Sequence, residues 1–413
     1  MYHVSIMRTL LAVLLALTLR AQNIALTHAT LIDGTGAQPI PDAAVVIANG
    51  RIVAMGPASK VKIPAGAQVV DMSGKTIIPG IINAHSHISD DPAPKLRHYA
   101  QFGVTTVIGM GGDGDEQLKI RDAQRHGDIR GARVLTVQQR FEFDKDAPSA
   151  DAGRFKVEEL YKKGADGVKV VVDNRRDTQP KLRPAITAAI IDQAHKRKMK
   201  AFAHIHDMED ARTLIEQGID MLMHQVRDKE VDDAFIAAMK VKNVAVTSTL
   251  VRELSSFVYA DSPAWLDDPL LKRFFDAQRI SFAKTELREQ QAKLKDLALN
   301  RMDLEIASKN FNKMMKAGVR LALGTDSGPT PARFEGFFEH LEMELMVKYG
   351  MTPTQVIQAF SKTNSEVLGI DKDFGTLAKG KVADLVVLNK NPLDDILNMR
   401  SINSVYMGGR KFE

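Results

Sequence analysis

The hydrophobic rhythm of the chain changes twice. Between 23 and 79, apolar runs at 25–32, 43–47, 52–55 and 68–71 are separated by turn chemistry: Asp33-Gly34-Thr35-Gly36, Asn49-Gly50 and Gly74. Such runs read as short strands, and Asn-Gly between two of them signals a hairpin. From about 80 to 365, short apolar runs alternate with amphipathic helical stretches, the sequence form of repeated βα units. Strand-like runs return at 384–388 and 404–407, beside Gly-rich turns.

Within the middle region the strand candidates fall at 80–84, 105–110, 133–137, 167–172, 200–203, 221–223, 244–250 and 319–323. Eight units over roughly 285 residues suit an α/β fold of the (β/α)8 TIM barrel type. The long interval 263–316 has helical periodicity and many charges, so it predicts a helical excursion at the top of the barrel. Neither terminal β piece buries a core alone. They are expected to join, 23–79 with 366–413, as a composite β domain of small β-sandwich form around a barrel of 80–365.

Residues 1–22 read as a signal peptide. Arg8 precedes the apolar run 10–17, and Ala21 suits a cleavage point. The run is shorter than the about 20 apolar residues a spanning helix needs. Export to the periplasm or beyond is expected, with no stable membrane span after removal. Leu19 stands where a small residue is usual, so retention as an anchor is the alternative.

With 44% hydrophobic and 26% charged residues in 413, disordered, collagen-like and coiled-coil classes are excluded. The net charge of +5 falls to +3 without Arg8 and Arg20, too little and too scattered for nucleic acid. There is no cysteine, so disulfides, thiolate metal sites and a Cys nucleophile are excluded.

In a barrel, chemistry gathers where strands meet their following loops. His85 and His87 follow the first strand in Ile82-Asn83-Ala84-His85-Ser86-His87, and a period of two puts both imidazoles on one side. Lys169 interrupts the apolar run Gly167-Val168-Lys169-Val170-Val171-Val172, where a free ammonium is costly. His204-Ile205-His206 ends the fifth strand, His224 the sixth, and Gly324-Thr325-Asp326-Ser327 the eighth. Singly, a snorkelling lysine or an Asp N-cap explains such residues. Together, at successive strand ends, they point to a metal site.

The order His85-x-His87, Lys169, His204, His224, Asp326 resembles the binuclear site of the amidohydrolase superfamily. The lead-in Ile77-Ile78-Pro79-Gly80-Ile81-Ile82-Asn83-Ala84-His85-Ser86-His87 and the closing Gly375-Thr376-Leu377-Ala378-Lys379-Gly380-Lys381-Val382-Ala383-Asp384-Leu385-Val386-Val387-Leu388 are similar to that superfamily too. Gly103-Val104-Thr105-Thr106-Val107 and the step from His204 to His224 resemble its imidazolonepropionase-like branch, with Xaa-Pro and Xaa-Arg dipeptidases and ochratoxinase-like amidases. The resemblance implies two divalent metals, zinc first with Mn and Co comparable. His85, His87 and Asp326 would hold the inner ion and His204 and His224 the outer, with Lys169 as N6-carboxylysine between them. His206 also faces the lumen; spacing favours His204 as the ligand over His206.

The implied reaction is hydrolysis of an amide or peptide-type C–N bond by a metal-bridging hydroxide, with Asp326 carrying the proton to the leaving amine. Arg140, Arg175, Arg176, Arg227 and Arg252 follow strands on the substrate side, and one or two could bind a substrate carboxylate, as in a dipeptide or N-acyl amino acid. The plain alternative pairs them with Asp144, Asp173, Asp177 and Asp228. Lactone or ester hydrolysis by the same site is the nearest chemical rival; cyclic-amide hydrolysis or deamination and a non-catalytic scaffold follow. Barrels of this superfamily often self-associate, so the resemblance also implies a homo-oligomer as one expected state. Gly109-Met110-Gly111-Gly112 reads as a tight turn under the metals, and Tyr259 and Trp265 as mouth-lining or packing residues.

Overall fold

The computed structural model describes residues 23–143 and 145–413; the expected signal segment 1–22 and Asp144 lie outside the described residues. The N-terminal strands are β1 (Ile24–Leu31), β2 (Ile40–Ala48), β3 (Arg51–Pro57), β4 (Gln68–Asp71) and β5 (Thr76–Pro79). Asn49 and Gly50 turn the chain between β2 and β3 at φ 50° and 76°, the left-handed pair that a tight hairpin requires.

The middle region supplies β6 (Ile81–Ser86), β7 (Val104–Gly109), β8 (Arg133–Thr136), β9 (Arg140–Phe141), β10 (Gly167–Val172), β11 (Lys200–Ile205), β12 (Met221–Leu222), β13 (Ala245–Thr247) and β14 (Leu321–Ala322). The chain closes with β15 (Leu385–Leu388), β16 (Ile402–Met407) and β17 (Arg410–Lys411).

Among the described residues the terminal strands share one sheet in the order β17-β16-β15-β5-β1-β2-β3, with β4 added beside β1. The joint is antiparallel β5 to β15, Pro79 opposite Leu385 through Thr76 opposite Leu388. Leu26, Val45, Ile52, Ile77, Leu385 and Val387 form a core of their own there. Neither end of the chain completes this sheet without the other.

The middle strands are parallel, in two ladders: β6-β7-β8 and β9-β10-β11-β12-β13-β14. A parallel bridge between Ser86 and Ser327, and Ala84 N–H donating to Leu323 O at 3.0 Å, join the first ladder to β14. Between β8 and β9 the pairing is interrupted. Thr136 Oγ1 donates to Asp113 and accepts the N–H of Gln138, which holds φ 60°, so the chain turns before Arg140. Among the described residues hydrogen-bonded closure is therefore not continuous, and the strands of the expected (β/α)8 barrel form two parallel ladders. Ile82, Ala84, Ile108, Met110, Phe202, Met221 and Ala322 pack in the interior beneath the strand ends.

The strand expected to reach 250 stops at Thr247, and a helix, Leu250–Ser255, begins instead. The buried Glu342 carboxylate accepts the N–H groups of Leu250 and Val251 at 3.0 and 2.6 Å, serving two donors that a helix start leaves unpaired. Helices then continue to Leu297–Lys316, the longest of the expected excursion. Tyr259 and Trp265 pack together, 5.6 Å between rings, and Trp265 meets Phe334, Phe337 and Phe338. Among the described residues no helix is long and apolar enough to cross a membrane.

Candidate metal centre

His85 ends the inward path of β6 through an irregularity. The ladder to β7 shifts register between Asn83 and Ser86, so Ala84 and His85, neighbours in sequence, both reach the interior. Asn83 Oδ1 fixes the bend by accepting the His85 N–H at 2.8 Å. Asp326, beyond β14, holds φ 55°, and its own N–H donates to His85 O at 2.8 Å. A left-handed backbone at a residue other than glycine persists only where its surroundings impose it. It turns the carboxylate toward the histidines: Asp326 Oδ1 lies 2.8 Å from His87 Nε2 and 3.5 Å from His85 Nε2. Ligand atoms of these three residues all lie within 4.8 Å of one another.

Lys169 projects inward from the middle of β10, buried, with Nζ 3.0 Å from His85 Nε2. The ladder to β11 sets Lys169 opposite Phe202 and Val171 opposite His204, one inward step higher. His224 follows β12. Its ring centre is 4.8 Å from that of His85 and 4.4 Å from that of His204. All six residues of the expected set therefore line one buried space. His206 does not join them; its nitrogens address Asp207 at 2.7 Å and Asp303 at 3.7 Å.

Each imidazole has one nitrogen tied. His85 Nδ1 meets Met223 O at 3.0 Å, His87 Nδ1 meets Gly111 O at 3.3 Å, and His224 Nδ1 meets Thr249 Oγ1 at 3.1 Å. His204 is held through Nε2 by Asp173 Oδ2 at 2.8 Å. Gly111 and Gly112 take φ 112° and 86°, the tight turn expected beneath the site, and a Cβ on Gly111 would press on Arg140 at 3.1 Å.

Burial pushes His85 and His224 well below the usual imidazole range and His204 down to about 4, so the rings are neutral, the form that binds metal. Burial also lowers Lys169, to about 8. Burial would raise Asp326, yet the Arg333 guanidinium and the neighbouring imidazoles hold it well below the carboxylate range. His224 Nε2 is buried without a hydrogen-bond partner among the described residues. Neutral imidazoles at His85, His204 and His224, the unpartnered Nε2 of His224, one carboxylate and a lysine at the centre suit divalent ions with N and O ligands.

The arginines are distributed differently from either expectation. Arg140 Nε and Arg175 Nη2 both bond Glu142, at 2.8 and 2.5 Å. Arg176 is fastened to the Leu297–Lys316 helix by Asp303 at 2.7 Å and Asn300 at 3.0 Å. Arg227 is fully buried, donates to Ile205 O, and has Nε 3.4 Å from Glu253. Arg252 bonds Glu253 at 2.6 Å and brings Nε to 3.7 Å from Asp326 Oδ2. Of the expected partners, Asp173 serves His204, Asp177 bonds Asn174, and Asp228 accepts the N–H of Met208. Glu142, Glu253 and Asp303 take their place.

Sequence reasoning also missed Arg333, whose Nη1 bonds Asp326 Oδ2 at 2.7 Å. No periodicity marks it. Asp173 was legible in principle, since it stands two strand alternations beyond Lys169 on the same face.

The chain is similar to Aspergillus niger ochratoxinase, 26% identical over 264 residues, covering 61% of this chain and 47% of that one. It thus spans about half the length of that relative. The imidazolonepropionase of Symbiobacterium thermophilum is 21% identical over 380 residues, covering 85% and 84%. A solved Xaa-Pro dipeptidase with bound methionine in its active site shares the fold at a TM-score of 0.74 and 20% identity, covering 95% of this chain and 100% of that one. The Amidohydrolase family model matches residues 76–411. As that match runs from the start of β5 to the end of β17, the chain belongs to the amidohydrolase family.

Proposed function

We propose that the protein is a binuclear metal-dependent hydrolase of an amide or peptide-type C–N bond, acting on a dipeptide or N-acyl amino acid with a free carboxylate. The observation that carries this reading is the convergence of His85, His87, Lys169, His204, His224 and Asp326 on one buried space. His85, His87 and Asp326 would hold an inner ion and His204 and His224 an outer one, with Lys169, carboxylated, between them. When bound, two divalent metals lower the pKa of water toward neutrality and polarise a carbonyl oxygen.

The two oxygens of Asp326 are divided in use. Oδ1 faces His85 and His87, while Oδ2 faces Arg333 and Arg252. A carboxylate so placed can take a proton on the substrate side and return it to a leaving amine. Arg252 Nε is buried and without a hydrogen-bond partner among the described residues. A guanidinium with a donor to spare beside the reacting centre suits a substrate carboxylate. The names of the ochratoxinase and Xaa-Pro dipeptidase relatives fit an amide-cleaving reading. The same reading takes the two parallel ladders as one (β/α)8 barrel and the branched terminal sheet as a β-sandwich.

Elemental analysis of the purified protein, paired with a panel of dipeptides, N-acyl amino acids and lactones, tests it. The expected result is about two metals per chain and release of a free amino acid. Lactone opening without amide cleavage would shift the reading to its chemical rival. No metal and no turnover after reconstitution with Zn or Mn and bicarbonate would leave a non-catalytic scaffold.

A further inference from the structure

We infer that Asp173 is the positioning residue of the outer metal site: it holds His204 by Nε2, so that Nδ1 is the nitrogen this imidazole offers. The inference rests on the two-metal reading above. His204 is the exception among the four ligand-type histidines. His85, His87 and His224 are each tied through Nδ1 by a neutral oxygen, a carbonyl or a hydroxyl, and present Nε2. His204 is tied through Nε2, and its anchor is a carboxylate.

The reversal has a geometric consequence. Nδ1 sits nearer the main chain than Nε2, so a ligand nitrogen at Nδ1 of His204 would face the wall formed by β10 and β11 more closely than Nε2 would. Lys169 projects from that same wall, on the neighbouring strand and one inward step lower. A carboxylate on the opposite nitrogen fixes the tautomer and ring orientation and raises the basicity of the ligating nitrogen.

Asp173 is itself held in place. Its Oδ1 accepts the Arg175 N–H at 2.7 Å, and its carbonyl accepts from Gln179 Nε2 at 3.0 Å. The segment that makes these contacts is strained: Arg175, Arg176 and Asp177 follow one another at φ 48°, 57° and 65°. Three successive left-handed residues other than glycine are kept only where the surroundings impose them, and such strain gathers at functional sites. Here the strained turn brings the Arg175 N–H onto Asp173 Oδ1, leaving Oδ2 for His204.

Zn2+ stoichiometry and retention in Asp173→Asn, with Asp173→Glu as the conservative variant, test the assignment. Wild type reconstituted with Zn2+ and bicarbonate is expected to hold about two ions. Asp173→Asn should keep the first and release the second to a chelator at about 10- to 100-fold lower chelator concentration, with partial recovery in Asp173→Glu. A second ion held as tightly in Asp173→Asn as in wild type overturns the inference and leaves the two-metal reading intact. Fewer than two ions in wild type overturns that reading, and the inference with it. If Asp173→Asn does not fold, 15N NMR of the Zn2+-loaded wild type decides, with the His204 signal assigned by its loss in His204→Gln. A proton on Nε2 is expected, and a proton on Nδ1 overturns the assignment.

Discussion

Asn83 and Glu339 meet inside the protein, Nδ2 donating to Oε1 at 2.5 Å, and this bond ties the strand that carries His85 to the helix Phe337–Lys348. The same oxygen accepts from the hydroxyls of Thr325 and Ser327, each at 2.8 Å. Asn83 Oδ1 meanwhile accepts the His85 N–H. One carboxylate thus holds both neighbours of Asp326 and the residue two before His85. It touches no ligand side chain, yet it sets the main chain from which two of them project.

Removing that carboxylate should be costly. Glu339→Ala leaves the buried donors of Asn83, Thr325 and Ser327 without their shared acceptor, a loss of roughly 2–4 kcal/mol by the usual price of unmet buried hydrogen bonds. Denaturant unfolding of the metal-loaded protein measures it. Glu339→Gln, which keeps one acceptor oxygen, should lose less, and equal midpoints for all three proteins would contradict the role.

Stability should also depend on pH through this helix. Burial pushes the carboxyls of Glu339 and Glu342 up from 4.5 to about 7, even though both accept hydrogen bonds. A folded-state value above the unfolded one means that the folded state binds more protons in between. Their contribution is fully present below about 4.5 and is lost as pH rises through about 7. At about 1.4 kcal/mol per unit, each group accounts for up to roughly 3 kcal/mol. Unfolding free energy should therefore fall between about pH 5 and pH 8, and fall less steeply in Glu342→Gln. Identical slopes would remove Glu342 from the effect.

Six residues of the site could be read along the chain because each stands within or just beyond a strand with a recognisable apolar run. Lys169 was the plainest, an ammonium-bearing side chain inside five apolar or glycine positions. The details that escaped are tertiary. Period-two reasoning put His85 and His87 on one face of β6, but not that a bend at Asn83 brings His85 in next to Ala84. The end of the seventh strand was misplaced because Glu342, 92 residues away from Leu250, decides where the helix starts. The break between β8 and β9 depends on Asp113 reaching Thr136. Arg333 meets Asp326 only because its loop is pinned from the helical excursion, by Tyr259 to Ala332 O and Arg279 to Glu335.

Among the arginines, substrate carboxylate recognition should depend on Arg252. Arg140 and Arg175 already share Glu142, whereas Arg252, with Nε 3.7 Å from Asp326 Oδ2, keeps that buried nitrogen without a hydrogen-bond partner among the described residues. Arg252→Met, which retains length and loses charge, should raise KM for a carboxylate-bearing substrate about 10- to 100-fold, the worth of one or two charged hydrogen bonds. The amidated form of the same substrate should show little change, and Arg140→Met should have the smaller effect on either. Equal losses for the free and amidated substrates would mean that Arg252 supports the site without reading the carboxylate.

Lys169 and Asp326 both belong to the proposed centre, yet their loss should leave different proteins. Lys169 lies against His85 on a strand that carries no Asp or Glu, so Lys169→Ala removes the group meant to join the two ions. Metal and activity should be lost together, with partial recovery when short-chain carboxylic acids supply the missing oxygens. Asp326→Asn is milder toward metal, because His204, His224 and Lys169 are untouched by it, and at least one ion should stay bound. Its turnover should nonetheless fall by about 10²- to 10⁴-fold, the range for removing a proton-transfer group. Elemental analysis and steady-state rates on the two variants separate these roles. Near-normal turnover in Asp326→Asn would take the proton from this residue, and full activity in unrescued Lys169→Ala would take the bridge from Lys169.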